Sequence, residues 1–423
     1  MAWGAKKKGV EDLVALLASD KAPTTIAVLP MRQFNSSEAT SLAKALAVNS
    51  TVTELLASGH TIGDEGAQAI AEMLKTNTTL KKLNVGSCTM GDSGLQALVD
   101  GICLNSTLTS LDLEYKGCKE GRGVQKILES TQSVTELSLS RNEWSSDGVG
   151  LISLGLKECS SLRSLEMREC GVAEEGARNL GAALASHRSL TSLDLSSNPL
   201  SDAGAALLIN AVASSPVTTL TLKDCGLGTD SIGALSQWLG TADCMLSALD
   251  LQQNNLGSEC VERLARDGLQ HNRFLKRLCL SNTGAGDNGA IALAQALAAG
   301  NSNCQLASLD VGNCGISWTG ASALLPTPLL RNLGLFGNNL GDDVSPAVDS
   351  LTGMSIELLD VGASGMSGCG ITAVLQAIRE GAHQLKTLIV GGNDIDEEAN
   401  AAIKSAQEQL PQLDIAFRTK ASG

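Results

Sequence analysis

The segment LTSLDLSSNPL, residues 190–200, places leucines at offsets 0, 3, 5 and 10 and an asparagine at offset 8. With Leu190 as the anchor, the same frame starts at Val52, Leu80, Leu108, Val134, Leu162, Val217, Leu246, Leu275, Leu306, Leu330, Ile356 and Leu385. Successive anchors lie 24–31 residues apart, and all thirteen copies carry leucine at offset +3. Offset +5 is apolar in each. A degenerate copy, IAVLPM at 26–31, precedes the series, and a partial one, LPQLDI at 410–415, follows it. Self-similarity at this period marks a solenoid, in which no unit can bury its apolar face alone.

Each unit reads in two halves. LTSLDL alternates at period 2, as a short strand with one apolar face does. DAGAALLINAVAS, residues 202–214, repeats its apolar residues at three- and four-residue steps and predicts an amphipathic helix. A small residue near the helix start (Gly66, Gly94, Gly176, Gly204, Gly289, Gly320) lets helix and strand approach closely. Parallel strands stack about 4.8 Å apart, whereas helices with their side chains are about 10 Å across. The expected fold is therefore an α/β solenoid of fourteen or fifteen repeats, curved into a horseshoe with strands on the concave face and helices on the convex face. Offset +8 holds Asn142, Asn198, Asn254, Asn338 and Asn393, alternating in part with Cys88, Cys170, Cys225 and Cys314. The chain leaves the strand there, and a buried amide can supply both a donor and an acceptor to stranded backbone groups.

Composition narrows the functional classes. Aromatic residues make up only 2% of the 423 residues while 43% are hydrophobic, so Leu, Ala, Val and Ile must build the core. A net charge of −14 argues against general nucleic-acid binding, which needs basic side chains to displace counterions. No apolar run approaches the roughly 20 residues that span a bilayer. MAWGAKKKGVEDLVALLASD does not read as a signal peptide. Twelve cysteines with no C-x-x-C spacing predict free thiols in a reducing compartment. A cytoplasmic location follows, with cytoskeletal, ciliary or nuclear association left open. The four N-x-S/T sequons at Asn35, Asn49, Asn77 and Asn105 are then read as unused. Residues 1–22 form an N-terminal helical cap with a helix in 9–19, residues 23–415 the repeat domain and residues 416–423 a tail.

LxxLxLxx(N/C)xL with a 28-residue period and a full helix resembles the ribonuclease-inhibitor-like class of leucine-rich-repeat proteins, over residues 23–415. That class includes enzyme inhibitors, innate-immune sensor arrays, cytoskeletal regulators and GTPase activators. The resemblance implies a concave face that binds a protein partner, and no cofactor. A GTPase activator is the alternative: TELLASGHTIGDEGAQAIAEML (53–74) and the Gly-Arg turn at Arg122 resemble the Ran GTPase-activating proteins, although Arg122 comes one repeat later than their arginine. A third expectation is an inhibitor of a basic enzyme, a reading weakened by the scarcity of aromatic anchors.

Other chemistry-like signals dissolve into the repeat. Gly284, Gly286 and Gly289 spell GxGxxG between a strand and a helix, with Asp310 further on, as a dinucleotide site would. Yet Gly289 is the helix-start glycine of the repeat, and Asp310 occupies offset +4 like Asp112, Asp194, Asp250 and Asp360. His60 sits at a ladder position. His187, His271 and His383 fall in loops before strands, three or four repeats apart, and are expected at the rim, too far from each other to share a metal.

Offsets +2, +4 and +6 face outward from the strands. Over the first two-thirds these positions are charged and mostly acidic, including Asp112, Glu114, Glu166, Asp194 and Asp250. Over the last third Phe336, Leu358 and Ile389 form an expected apolar patch bordered by Asp310 and Asp360. Pro326, Pro328 and Pro346 fall where helix is expected and should cut those helices short. The sequence thus predicts a non-enzymatic scaffold that binds a basic protein surface or serves as a subunit of a larger assembly, without nucleic acid, membrane or metal.

Overall fold

The computed structural model describes residues 8–19, 22–86, 90–298, 304–382 and 384–417. Two compact units emerge, one of residues 1–200 with 211–217 and the other of 201–210 with 218–423. The first holds strands β1 (Thr25–Ala27), β2 (Glu54–Ser58), β3 (Lys82–Gly86), β4 (Ser110–Asp112), β5 (Glu136–Ser138), β6 (Ser164–Glu166) and β7 (Ser192–Asp194). The second holds β8 (Thr219–Thr221), β9 (Ala248–Asp250), β10 (Arg277–Cys279), β11 (Ser308–Asp310), β12 (Asn332–Gly334), β13 (Leu358–Asp360), β14 (Thr387–Ile389) and β15 (Asp414–Ala416).

Within each unit every strand pairs in parallel with the next one in sequence, and equal offsets stand side by side. Leu137 is opposite Leu165, which is opposite Leu193. Leu309, Leu333 and Leu359 align in the same way. This register puts the +3 leucines and the +5 apolar residues in continuous rows, and all of them are buried. The helices that follow the strands close the other side of that core. It is an α/β leucine-rich-repeat solenoid, as the spacing predicts.

The exit from each strand is equally regular. Tyr115, Arg141, Glu169, Ser197, Asp224, Gln253, Asn282, Asn313 and Ala363, all at +7, have φ between 50° and 59°. Left-handed backbone is costly for side-chain-bearing residues, so something must hold it. The ladder asparagine does so. Asn198 Nδ2 donates to Met167 O and Leu195 O at 2.6 and 2.7 Å, and its Oδ1 accepts from the Cys170 and Val172 amides at 2.9 and 3.0 Å. Asn142, Asn254, Asn338 and Asn393 repeat this four-bond pattern. Cys170 Sγ donates only to carbonyls, Leu139 O and Arg168 O, each at 3.3 Å. Cys88 lies outside the described residues.

A second row of amides, not foreseen from the sequence, closes the other end of the repeat. Asn77 Nδ2 donates to Leu46 O at 2.7 Å while its Oδ1 accepts from the Leu80 amide at 2.8 Å. Asn105 does the same one repeat on, with Leu74 O and the Leu108 amide. Asn49 and Asn272 occupy the same position, three residues before the anchor. Thr79 and Thr107, the sequon threonines, hydrogen-bond to Asn49 O and Leu80 O. Asn35 instead caps the helix Ser36–Ala47.

The ends and the short repeats follow the sequence. Glu11–Leu17 is helical and buries Leu17, and Arg32 pins it by donating to Gly9 O and to both oxygens of Asp12 at 2.7–2.9 Å. The helix Trp318–Leu324 stops two residues before Pro326, and Pro346 lies in a 3-10 turn, Ser345–Ala347. Among the described residues no helix is long and apolar enough to cross a membrane.

Candidate functional site

The strand-lined face differs between the units. On the first, Arg141 reaches Glu114 at 3.3 Å and Glu169 at 3.2 Å, and Arg168 reaches Glu166 at 2.9 Å and the Asp194 carboxylate. Part of the expected acidic strip, Glu114, Glu166 and Asp194, therefore has counterions on the same face. Burial raises the Glu166 carboxyl, Arg168 opposes this, and Asp194, Asp112 and Glu114 add to it. Asp112 accepts from Asn84 Nδ2. Beside it a recess of about 270 Å3 is lined by Tyr115, Arg141 and Lys116, the residue at the ladder position. Lys116 is 1% exposed; burial lowers its pKa, and Nζ donates to Glu114 O.

The +4 aspartates have a framework role that the sequence did not reveal. In each, Oδ1 accepts the amide two residues ahead: Glu114 for Asp112, Ser196 for Asp194, Gln252 for Asp250, Gly312 for Asp310 and Gly362 for Asp360, at 2.8–3.0 Å. One oxygen of each thus belongs to the strand exit. The second oxygen meets a side chain on Asp112, Asp194, Asp250 and Asp310, from Asn84, Arg168, Gln252 and Cys279 in turn.

On the second unit the expected three-residue apolar patch shrinks to one. Phe336 is 46% exposed, whereas Leu358 and Ile389 are half-buried in their rows beside Asn332 and Asp360. The Phe336 ring rests over Gly362: its Cδ2 is 3.1 Å from where a Cβ on Gly362 would stand. Asp360 is half-buried, and burial raises its carboxyl, with the Asp310 charge adding to the rise. Among the described residues neither Asp310 nor Asp360 has a basic partner, although Ser281 Oγ donates to Asp310 at 2.6 Å.

The remaining candidates are structural. Asp287, inside the GxGxxG segment, accepts from the Ser317 and Gly320 amides and from Ser317 Oγ, tying that helix start to the next repeat. Gly284 and Gly286 take positive φ in the turn, and Gly289 packs on Val261. Arg122 is exposed at the first residue of the helix Arg122–Ser130, and the preceding Gly121 is required because a Cβ there would meet Gly148 O at 2.3 Å. His60 is buried with Nε2 2.9 Å from Val28 O. His187, expected at the rim, is instead buried: Nδ1 accepts from the Leu190 amide at 3.1 Å, and burial lowers its pKa. His271 is exposed, and His383 lies outside the described residues, as do residues 418–423 of the expected tail. Burial pushes the Cys118 and Cys279 thiols up to about 12 and Cys170 to about 11, which keeps them protonated and poorly nucleophilic. Among the described residues no group of three His, Cys, Asp or Glu side chains could hold a metal ion.

Comparison with known proteins agrees with this geometry. Residues 48–71, 76–99, 186–208 and 271–294 match the family model described as Leucine Rich repeat. Ribonuclease inhibitor of Sus scrofa is 29% identical over 303 residues, covering 71% of this chain and 54% of that protein. NACHT, LRR and PYD domains-containing protein 3 of Homo sapiens is 24% identical over 331 residues, covering 70% of this chain and 29% of that protein. The chain thus matches only about half, or less, of the length of these relatives. A chain in the crystal structure of the Rad7 and Elc1 complex in yeast shares the fold with a TM-score of 0.50 at 17% identity, covering 86% of this chain and 87% of that one. Repeat spacing, amide ladder and relatives agree: the fold is a leucine-rich-repeat solenoid, and its repeats are similar to those of ribonuclease inhibitor.

Proposed function

We propose that this chain is a non-enzymatic protein-binding scaffold that receives its partner on the strand-lined face of the second unit. One observation carries the reading: Phe336 is held 46% exposed on that face, among positions where glycine leaves the floor open. An exposed aromatic ring on a rigid sheet loses little conformational freedom on binding and is a common anchor of protein interfaces. Repeats of this kind are the ones found in ribonuclease inhibitor, a relative whose name states a protein target. The buried thiols and histidines serve the frame, which favours binding over catalysis.

Site-specific photo-crosslinking tests this. A benzophenone side chain at position 336 should capture a partner from extract of the native source. The same group at Leu207, exposed on the helix Asp202–Val212, should capture none. Capture from position 207 alone would assign binding to the helices and overturn the proposal.

A further inference from the structure

We infer that the notch over Gly334 receives an arginine side chain of the partner, its guanidinium bracketed by Asp310 and Asp360 and stacked on Phe336. This rests on the strand-face reading above and specifies the chemistry of what binds there.

The strand register builds the notch. Asp310 is opposite Gly334, and Gly334 is opposite Asp360, so two carboxylates flank a residue with no side chain. Their Cα atoms are two strand spacings apart, about 10 Å. Asp310 Oδ1 leans to 2.9 Å from where a Cβ on Gly334 would stand. Phe336, two residues along, supplies the wall. Its Cδ2 and Asp360 Oδ1 lie 3.1 and 3.0 Å from the same point above Gly362, so the ring is held beside that carboxylate. Gly312 keeps the floor open on the other side, where a Cβ would stand 3.0 Å from Phe336 O.

The charges ask for a cation. Neither carboxylate has an ion pair among the described residues, and both are anchored in place by the amides of Gly312 and Gly362. Two half-buried like charges held near one another without a counterion favour any group that neutralises both. A lysine ammonium is a compact, strongly hydrated point charge. A guanidinium is planar, weakly hydrated and forked, so it can donate to a carboxylate while its face lies on an aromatic ring.

The probes are Nα-acetyl-arginine amide and its uncharged isostere, Nα-acetyl-citrulline amide. Their binding is followed by NMR of the full chain labelled with 13C-phenylalanine, with the Phe336 signals assigned by loss in Phe336→Leu. The arginine amide should shift those signals saturably, and the citrulline amide should bind about tenfold more weakly. The double variant Asp310→Asn, Asp360→Asn keeps an oxygen for the Gly312 and Gly362 amides, so it should keep its fold while losing the arginine response by about tenfold. Equal binding of the two amides, an unchanged response in the double variant, or no response to either probe would overturn the inference. Photo-crosslinking from position 336 that persists undiminished in the double variant would do so too, while leaving strand-face binding intact. An arginine response without any crosslinking would overturn the strand-face reading instead.

Discussion

The two strand-lined faces share one frame and differ in how their charges are satisfied. On the first unit Arg141 and Arg168 are threaded among Glu114, Glu166, Glu169 and Asp194, so part of a row that looks strongly acidic in sequence is paired in place. On the second, Asp310 and Asp360 stand beside an exposed aromatic ring with no basic partner among the described residues. The number of carboxylates on a face is thus a poor guide to what it can attract. What matters is how many still lack a counterion.

Perturbing the common frame should have the largest effect, equal on the two sides. Asn142→Ala and Asn338→Ala each remove two short donated and two accepted hydrogen bonds to buried backbone, and Asn142→Ala a longer third one to Ser140 O. Each should cost roughly 3 kcal/mol, because the orphaned amides and carbonyls stay buried. Urea denaturation of the two variants checks this, and a large loss in one beside a trivial loss in the other would show that the units are not built alike.

A middle-sized effect separates the faces. Arg168→Ala strips Glu166 and Asp194 of their counterion and makes the first face resemble the second. The pair is partly exposed, so the stability loss should be about 1 kcal/mol and shrink as salt is added. In low-salt urea titrations, a variant as stable as the parent would mean that Arg168 is not the counterion the geometry makes it.

The smallest effect has the opposite sign. Asp360 holds its proton more readily in the folded state than when unfolded, so its ionisation costs stability. The contribution of Asp360 to stability should therefore fall as pH rises through the window just above the ordinary carboxylate value of about 3.9, up to the raised value. Asp360→Asn removes that step. At neutral pH it should change stability by no more than about 0.5 kcal/mol, in the stabilising direction. Thermal melts across pH 3–7 would expose an error if the difference between variant and wild type stayed constant over that range.

Much of this was legible because the repeat imposes a coordinate system. The +3 leucines, the +5 apolar residues and the ladder asparagines could be assigned to strand, core and exit from their offsets alone, and the prolines at 326 and 346 marked the shortened helices. Two features escaped. The amides at Asn77 and Asn105 recur at a constant distance before the anchor, yet the position also holds Thr131, Cys159 and His187, which blurred it. The bond from each +4 aspartate to the amide at +6 leaves no trace in spacing, since an aspartate there also suits an open face. Exposure was the weakest inference. Leu358 and Ile389 share the outward pleat with Phe336, but the rows beside them half-cover both.

The row at Asn77 and Asn105 also determines what these sites can carry. The nitrogen that an oligosaccharide would be joined to is the nitrogen that donates to Leu46 O or Leu74 O inside the closed repeat. Sugar and fold are therefore mutually exclusive there. A glycan added during synthesis would leave the repeat unable to close, and once the chain has folded a transferase would find no free amide to modify.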